Sequence, residues 1–129
     1  MGLKHLVPYN CSVIEQSTTD GRLYLTVVED EAGKPIRMTA EIGKAGSSLR
    51  AWTDAFSRLA CIVLEKGGTI EDVMDELSNI TTDRTIFDGK QKKIRSGPEG
   101  IVAAIQKYKN ARSEAFKESD SKHGVLYNR

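Results

Sequence analysis

The sequence predicts an α+β fold, a small antiparallel sheet packed against one long and two further helices. Three observations point to it. Two segments alternate apolar and polar residues across a turn-rich connection, a small-residue turn opens a long amphipathic run, and Ser96-Gly97-Pro98-Glu99 carries the signature of a helix start.

Arg22 to Val28 sets Leu23, Leu25 and Val27 against Arg22, Tyr24 and Thr26, and Ile36 to Ile42 sets Ile36, Met38, Ala40 and Ile42 against Arg37, Thr39 and Glu41. A period of two places each set on one side of a strand. Between them, Glu29-Asp30-Glu31-Ala32-Gly33-Lys34-Pro35 has hairpin length and turn chemistry, so the strands are expected to pair antiparallel with one wet face bearing Tyr24, Arg37, Thr39 and Glu41. Residues 3 to 15, with Leu3, Leu6, Val7, Val13 and Ile14, read as a leading strand.

Gly43-Lys44-Ala45-Gly46-Ser47-Ser48 precedes Leu49, Trp52, Phe56, Leu59 and Val63, which recur at three- and four-residue steps. This predicts a helix capped by Ser47 or Ser48, stopped at Gly67-Gly68, and covering the sheet with that apolar stripe. On its far side Arg50, Asp54 and Arg58 form a ladder of ion pairs, or else an arginine free to reach a phosphate in a neighbouring subunit. A second helix begins at Thr69, with Asp72 completing a capping box and Ile70, Val73, Met74 and Leu77 facing the core.

Asn79 to Ile94 reads as an exposed loop or short hairpin in which Phe87 is the exception, either a core plug or a stacking face. Arg84, Lys92, Lys93 and Arg95 surround it with cations, the setting in which a ring holds a nucleotide base. The third helix opens at Ser96 and buries Ile101, Val102, Ile105 and Tyr108, while Lys107, Lys109, Arg112 and Lys117 make it basic. The domain is expected to span 1–112, with 113–129 a frayed tail.

Both the glycine turn before the first helix and Ser96 are helix starts. The unpaired N–H groups and positive dipole end of such a start suit phosphate or carboxylate. Anion binding must be local, because 19 basic against 18 acidic residues leave a net charge of +1, too small a field for duplex nucleic acid or an anionic membrane. Cys11 and Cys61 form no Cys-x-x-Cys pair, which argues against a disulfide framework or thiolate metal site and for a reducing cytoplasm. Met1 to Pro8 lacks an apolar core long enough for a signal peptide and no run approaches the roughly 20 apolar residues of a membrane span, so a soluble, intracellular chain is expected.

Catalysis has no visible carrier. His5 and His123 fall near the chain ends, the glycines at 43 and 46 miss the P-loop spacing, and no metal-ligand spacing occurs, so no enzyme activity, metal or cofactor is expected.

With Ile42-Gly43-Lys44-Ala45-Gly46-Ser47-Ser48-Leu49-Arg50-Ala51 and Arg95-Ser96-Gly97-Pro98-Glu99-Gly100-Ile101 in view, the chain resembles the TSCPD domain, over roughly residues 20 to 110. That domain occurs at the C-terminus of cobalamin-dependent ribonucleotide reductases and as free-standing proteins. Its Thr-Ser-Cys-Pro-Asp is here Arg95-Ser96-Gly97-Pro98-Glu99, so no redox role of the cysteine carries over. The layout also resembles phage Thoeris anti-defence sponges, which bind cyclic ADP-ribose signals without cleaving them, assemble into hexamers, and hold cyclic oligonucleotides of the CBASS type at a separate arginine-lined site. That resemblance implies a cytoplasmic homo-hexamer with a cyclic nucleotide as partner. It implies an ADP-ribose-like site at Phe87, Lys92, Arg95, Tyr24 and Lys44, and a cyclic-oligonucleotide site at Arg58 and Arg112. The other implied role is an accessory or regulatory module of a ribonucleotide reductase or another nucleotide enzyme.

Overall fold

A computed structural model describes the backbone of residues 10–89 and 92–127, with side chains through residue 115 of the last helix. The apolar residues Leu3, Leu6 and Val7 assigned to a leading strand, and His5, lie outside the described residues. The strand itself, β1, runs Asn10–Thr18 and is followed by β2 (Gly21–Glu29) and β3 (Pro35–Ile42). They form one antiparallel meander in that order, with Leu25 opposite both Ile14 and Ala40. The Asp30 side chain holds the β2–β3 turn, accepting from the N–H groups of Ala32 and Lys34 at 2.9 Å each.

One face of the sheet is closed. Leu23, Leu25 and Val27 of β2 and Met38, Ala40 and Ile42 of β3 are fully or almost fully buried beneath α1 (Ser48–Glu65), α2 (Ile70–Leu77) and α3 (Gly97–Tyr127). The inward positions of β1 are Ser12, Ile14, Gln16 and Thr18, so its buried end is polar where that of β2 is aliphatic.

Helix α1 follows its predicted punctuation but not its predicted orientation. Ser47 is the N-cap, its hydroxyl accepting from the Arg50 N–H at 3.1 Å. At the other end, the N–H of Gly68 bonds the Val63 carbonyl and that of Gly67 bonds Leu64, the double closure that a left-handed glycine permits. The residues turned to the sheet, however, are Thr53, Ser57, Ala60 and Leu64. Trp52 is 73% exposed and Leu59 68%, against the expectation that both cover the sheet. The helix is rotated by roughly a quarter turn, about one residue at 3.6 residues per turn, from the orientation its largest side chains imply.

The cause lies in the edge of β3. Ser57 Oγ accepts from the Ala40 N–H at 2.8 Å and shares its one proton between the Thr53 carbonyl at 2.7 Å and the Ala40 carbonyl at 3.2 Å, while Cys61 Sγ donates to the Met38 carbonyl at 3.3 Å. Only small side chains allow a helix so near a strand backbone, and the contacts satisfy edge groups that would otherwise invite another strand.

Helix α2 has the predicted capping box. Thr69 Oγ1 accepts from Asp72 N–H at 3.1 Å and Asp72 Oδ2 from Thr69 N–H at 2.9 Å. Ile70 and Val73 are buried, Met74 and Leu77 half-buried. Helix α3 buries Ile101, Ile105 and Tyr108 as expected, but Val102 is only half-buried and Ala103 and Ala104 take the inward positions instead; its backbone stays helical through Tyr127.

Between α2 and α3, β4 (Ile86–Asp88) and β5 (Lys92–Ile94) form a separate two-stranded hairpin. Ile94 is its buried anchor, whereas Phe87 is 62% exposed and is therefore no core plug.

Candidate functional site

The hairpin gathers more of the sequence-selected residues than any other element. Phe87 stands opposite Lys93, and Asp88 opposite Lys92. Opposed residues of an antiparallel pair share a face, so the cation beside the Phe87 ring is Lys93, and Lys92 lies with Asp88 on the other side. Below, Asp88 Oδ2 accepts from Gln16 Nε2 at 2.9 Å and pairs with Lys107 Nζ at 3.0 Å. These donors, Gln16 first and then Lys107, hold the Asp88 carboxyl below its ordinary value. Gln16 is almost wholly buried and its Oε1 has no hydrogen-bond partner among the described residues. Gln16, Asp88 and Lys107 are functional candidates that sequence reading missed. They are 72 and 19 residues apart along the chain, and the one local signal is that Gln16 shares the inward register of Ile14 and Thr18.

Arg95 leaves this hairpin with its guanidinium committed. Its Nε and Nη2 donate to the two oxygens of Glu99 at 2.9 and 2.6 Å, and its backbone N–H donates to Glu99 Oε1 at 2.9 Å. Glu99 thus reaches back to Arg95, one residue beyond the Ser96 cap, while Ser96 Oγ accepts from the Glu99 N–H at 3.0 Å and donates to the Ile80 carbonyl. A Cβ placed on Gly97 would lie 2.8 Å from Asp20 Oδ2, so an aspartate of the chain itself already stands at the start of α3. The expectation that this helix start faces a ligand is corrected: Ser96, Asp20 and Glu99 occupy it, and Ser96 and Gly97 are buried. The start of α1 is different, with Gly43, Lys44, Ala45 and Gly46 all exposed.

The Arg95 fork is also what holds the Glu99 carboxyl below its ordinary value. A carboxyl with a lowered folded pKa contributes stability that is present above its unfolded pKa and lost as pH falls toward the folded one. Because Glu99 and Asp88 both behave this way, thermal stability is expected to fall as pH drops below about 4, the ordinary range of carboxylates. Scanning calorimetry between acid and neutral pH checks this, and Glu99→Gln should be less stable at neutral pH yet show a flatter acid limb. An unchanged limb would detach Glu99 from it.

The remaining candidates lie apart. Tyr24 stands on the open face of the sheet, flanked across the strands by Glu15 and Glu41. Arg58 lines a groove along β3 and α1 with Arg37, Thr39, Glu41, Asp54 and Glu65, and has no ion-pair partner among the described residues. Arg50 takes both nearby acids, Glu41 at 3.2 Å and Asp54 at 3.4 Å. Arg112 borders another groove, of about 330 Å³, between the β2–β3 turn and α2, and is bound by Glu29 and by the Gly33 carbonyl at 2.7 Å. Within one chain Arg58 and Arg112 line separate grooves.

Fold and site together define a small α+β module that offers open grooves and one cation-bordered aromatic ring. The chain belongs to the TSCPD domain family, whose model matches residues 5–109. Neither curated proteins nor solved structures gave a match. A TSCPD domain fits a nucleotide-related module or one associated with ribonucleotide reductase. No helix among the described residues is long and apolar enough to cross a membrane.

Proposed function

We propose that the protein binds a cyclic nucleotide immune signal and sequesters it without cleaving it. The ligands are glycocyclic ADP-ribose isomers and, at a second site, cyclic oligonucleotides, as for a cytoplasmic phage anti-defence sponge. The observation that carries this reading is the exposed Phe87 ring opposite Lys93, with Lys92 in the same hairpin. A purine needs a flat face and a pyrophosphate needs cationic donors. Lys44 on the exposed turn before α1 is a further cation suited to the same chemistry. Arg58, without an ion-pair partner among the described residues, lines its groove with a guanidinium open to a phosphate or to a carboxylate of a neighbouring copy, and a symmetric homo-hexamer would multiply it around an axis. No catalytic group, metal or cofactor enters this reading.

Native mass spectrometry with a panel of cyclic ADP-ribose isomers and cyclic oligonucleotides tests it. Intact ligand bound at integral stoichiometry to an oligomer is the expected result. Phe87→Ala should weaken the ADP-ribose ligand by about 1–3 kcal/mol, the worth of one stacked base. Release of a cleaved nucleotide, or no binding across the panel, would overturn the proposal. The family match also favours a second reading, an accessory module of a ribonucleotide reductase, and co-purification of such an enzyme without nucleotide binding would select it.

A further inference from the structure

We infer that the outer face of α1 is the surface through which two copies of this chain pack, with their α1 helices antiparallel. The inference rests on the proposed function only in taking self-association as part of it, and it names the surface involved.

Trp52, Ala55, Leu59 and Ile62 are all exposed, with Trp52, Leu59 and Ile62 at 73%, 68% and 48%. Their spacing of three, four and three residues makes one continuous seam along the helix. A helix that only covered its own sheet would reverse this arrangement, with its large side chains inward. Here Thr53, Ser57 and Ala60 face β3, because the helix seals that strand's backbone, and the bulk is left outside. The seam also runs past the half-buried Phe56 into an apolar groove of about 330 Å³ lined by Leu49, Leu77, Pro98 and Ile101, which extends it toward the start of α3.

The charges beside the seam identify the occupant as a second copy. Arg58 and Glu65 lie on the same flank, seven residues apart, and neither has an ion-pair partner among the described residues. In an antiparallel pair, setting Leu59 against the partner's Ile62 brings Arg58 opposite the partner's Glu65 and, by the two-fold axis, Glu65 opposite the partner's Arg58. Trp52 then meets the corner where the partner's α1 turns into α2. A parallel pair would set Arg58 against the partner's Val63 and leave both charges unanswered. Each copy also buries a tryptophan, itself about 150–250 Å² of surface, toward the roughly 1,200 Å² of a stable interface.

Sedimentation equilibrium on the intact chain without nucleotide tests this. The unaltered chain should associate, and Leu59→Asp should weaken that association at least about tenfold while leaving the circular dichroism spectrum and melting temperature near their original values, since Leu59 contributes little to the core. Glu65→Arg should weaken it as well, by opposing two arginines, and Arg58→Glu added to Glu65→Arg should restore it. A chain that stays monomeric at about 100 μM, or association indifferent to Leu59→Asp, overturns the inference. An associating chain that Leu59→Asp dissociates but that binds no nucleotide upholds this surface and sinks the ligand reading. Nucleotide binding by a strict monomer does the reverse.

Discussion

Gly100→Ala is expected to destabilise the fold by about 2 kcal/mol, although alanine is the better helix former by about 1 kcal/mol. The competing term is steric. A Cβ at position 100 would lie 2.3 Å from Thr18 Cγ2 and 3.0 Å from Thr18 Cβ, distances that packed atoms do not tolerate. Thr18 has little freedom to withdraw, because its hydroxyl donates to the Gly21 carbonyl at 2.7 Å and accepts from the Asp20 N–H at 3.0 Å. Overpacking of this kind costs about 1–3 kcal/mol, occasionally more, and its upper range exceeds the helix gain. Urea denaturation measures the difference. Thr18→Ser in the Gly100→Ala background removes the clashing methyl, keeps the hydroxyl, and should recover most of the loss. A Gly100→Ala protein as stable as the original would show that α3 can lift from β1 at no cost.

Arg112→Ala is expected to cost about 2 kcal/mol, a fall in melting temperature of roughly 6–10 °C for a domain of this size, with or without nucleotide. Glu29 occupies the inward register of β2 after Leu23, Leu25 and Val27, so a carboxylate stands where the pattern calls for an aliphatic side chain. Arg112 and the Tyr108 hydroxyl both donate to it, and burial together with that hydrogen bond pushes the Tyr108 pKa up to about 12. Without Arg112 the buried carboxylate keeps a single neutral donor. Breaking a fully buried ion pair costs about 3–5 kcal/mol, and a smaller loss is expected here because the guanidinium is partly open to water. The contrast is Arg58→Ala, which removes no ion pair within the chain among the described residues and should change the stability of the dissociated chain by less than about 0.5 kcal/mol. Thermal melts of the two variants beside calorimetric titration with a cyclic oligonucleotide separate a structural arginine from a ligand-binding one. Equal stability of both variants would refute the role given to Glu29.

The β2–β3 hairpin, the Thr69-Asp72 capping box, the Gly67-Gly68 stop and the Ser96 cap were legible because each depends on residues within a few positions of one another. Alternation, capping and left-handed glycine are local physics, and a single sequence carries them in full. The two helix starts offered as anion sites were equally visible as starts. Only the folded chain brings Asp20 to Gly97 and so distinguishes the occupied start of α3 from the exposed turn before α1.

What the sequence determined by itself is therefore the α+β class, the element order and most of the buried aliphatic set. The tertiary structure decided how α1 is rotated, where the Phe87 ring faces, and which cations are already spoken for. Periodicity shows that a helix has an apolar stripe, but not that bonding Ser57 and Cys61 to the edge of β3 requires the small side chains inward and leaves Trp52 and Leu59 outside. Likewise Arg58, Arg95 and Arg112 are alike as letters. Arg95 takes Glu99 four residues on, a local pair, whereas Glu29 lies 83 residues from Arg112 and meets it only through folding, and together these contacts leave Arg58 as the one of the three without an ion-pair partner among the described residues.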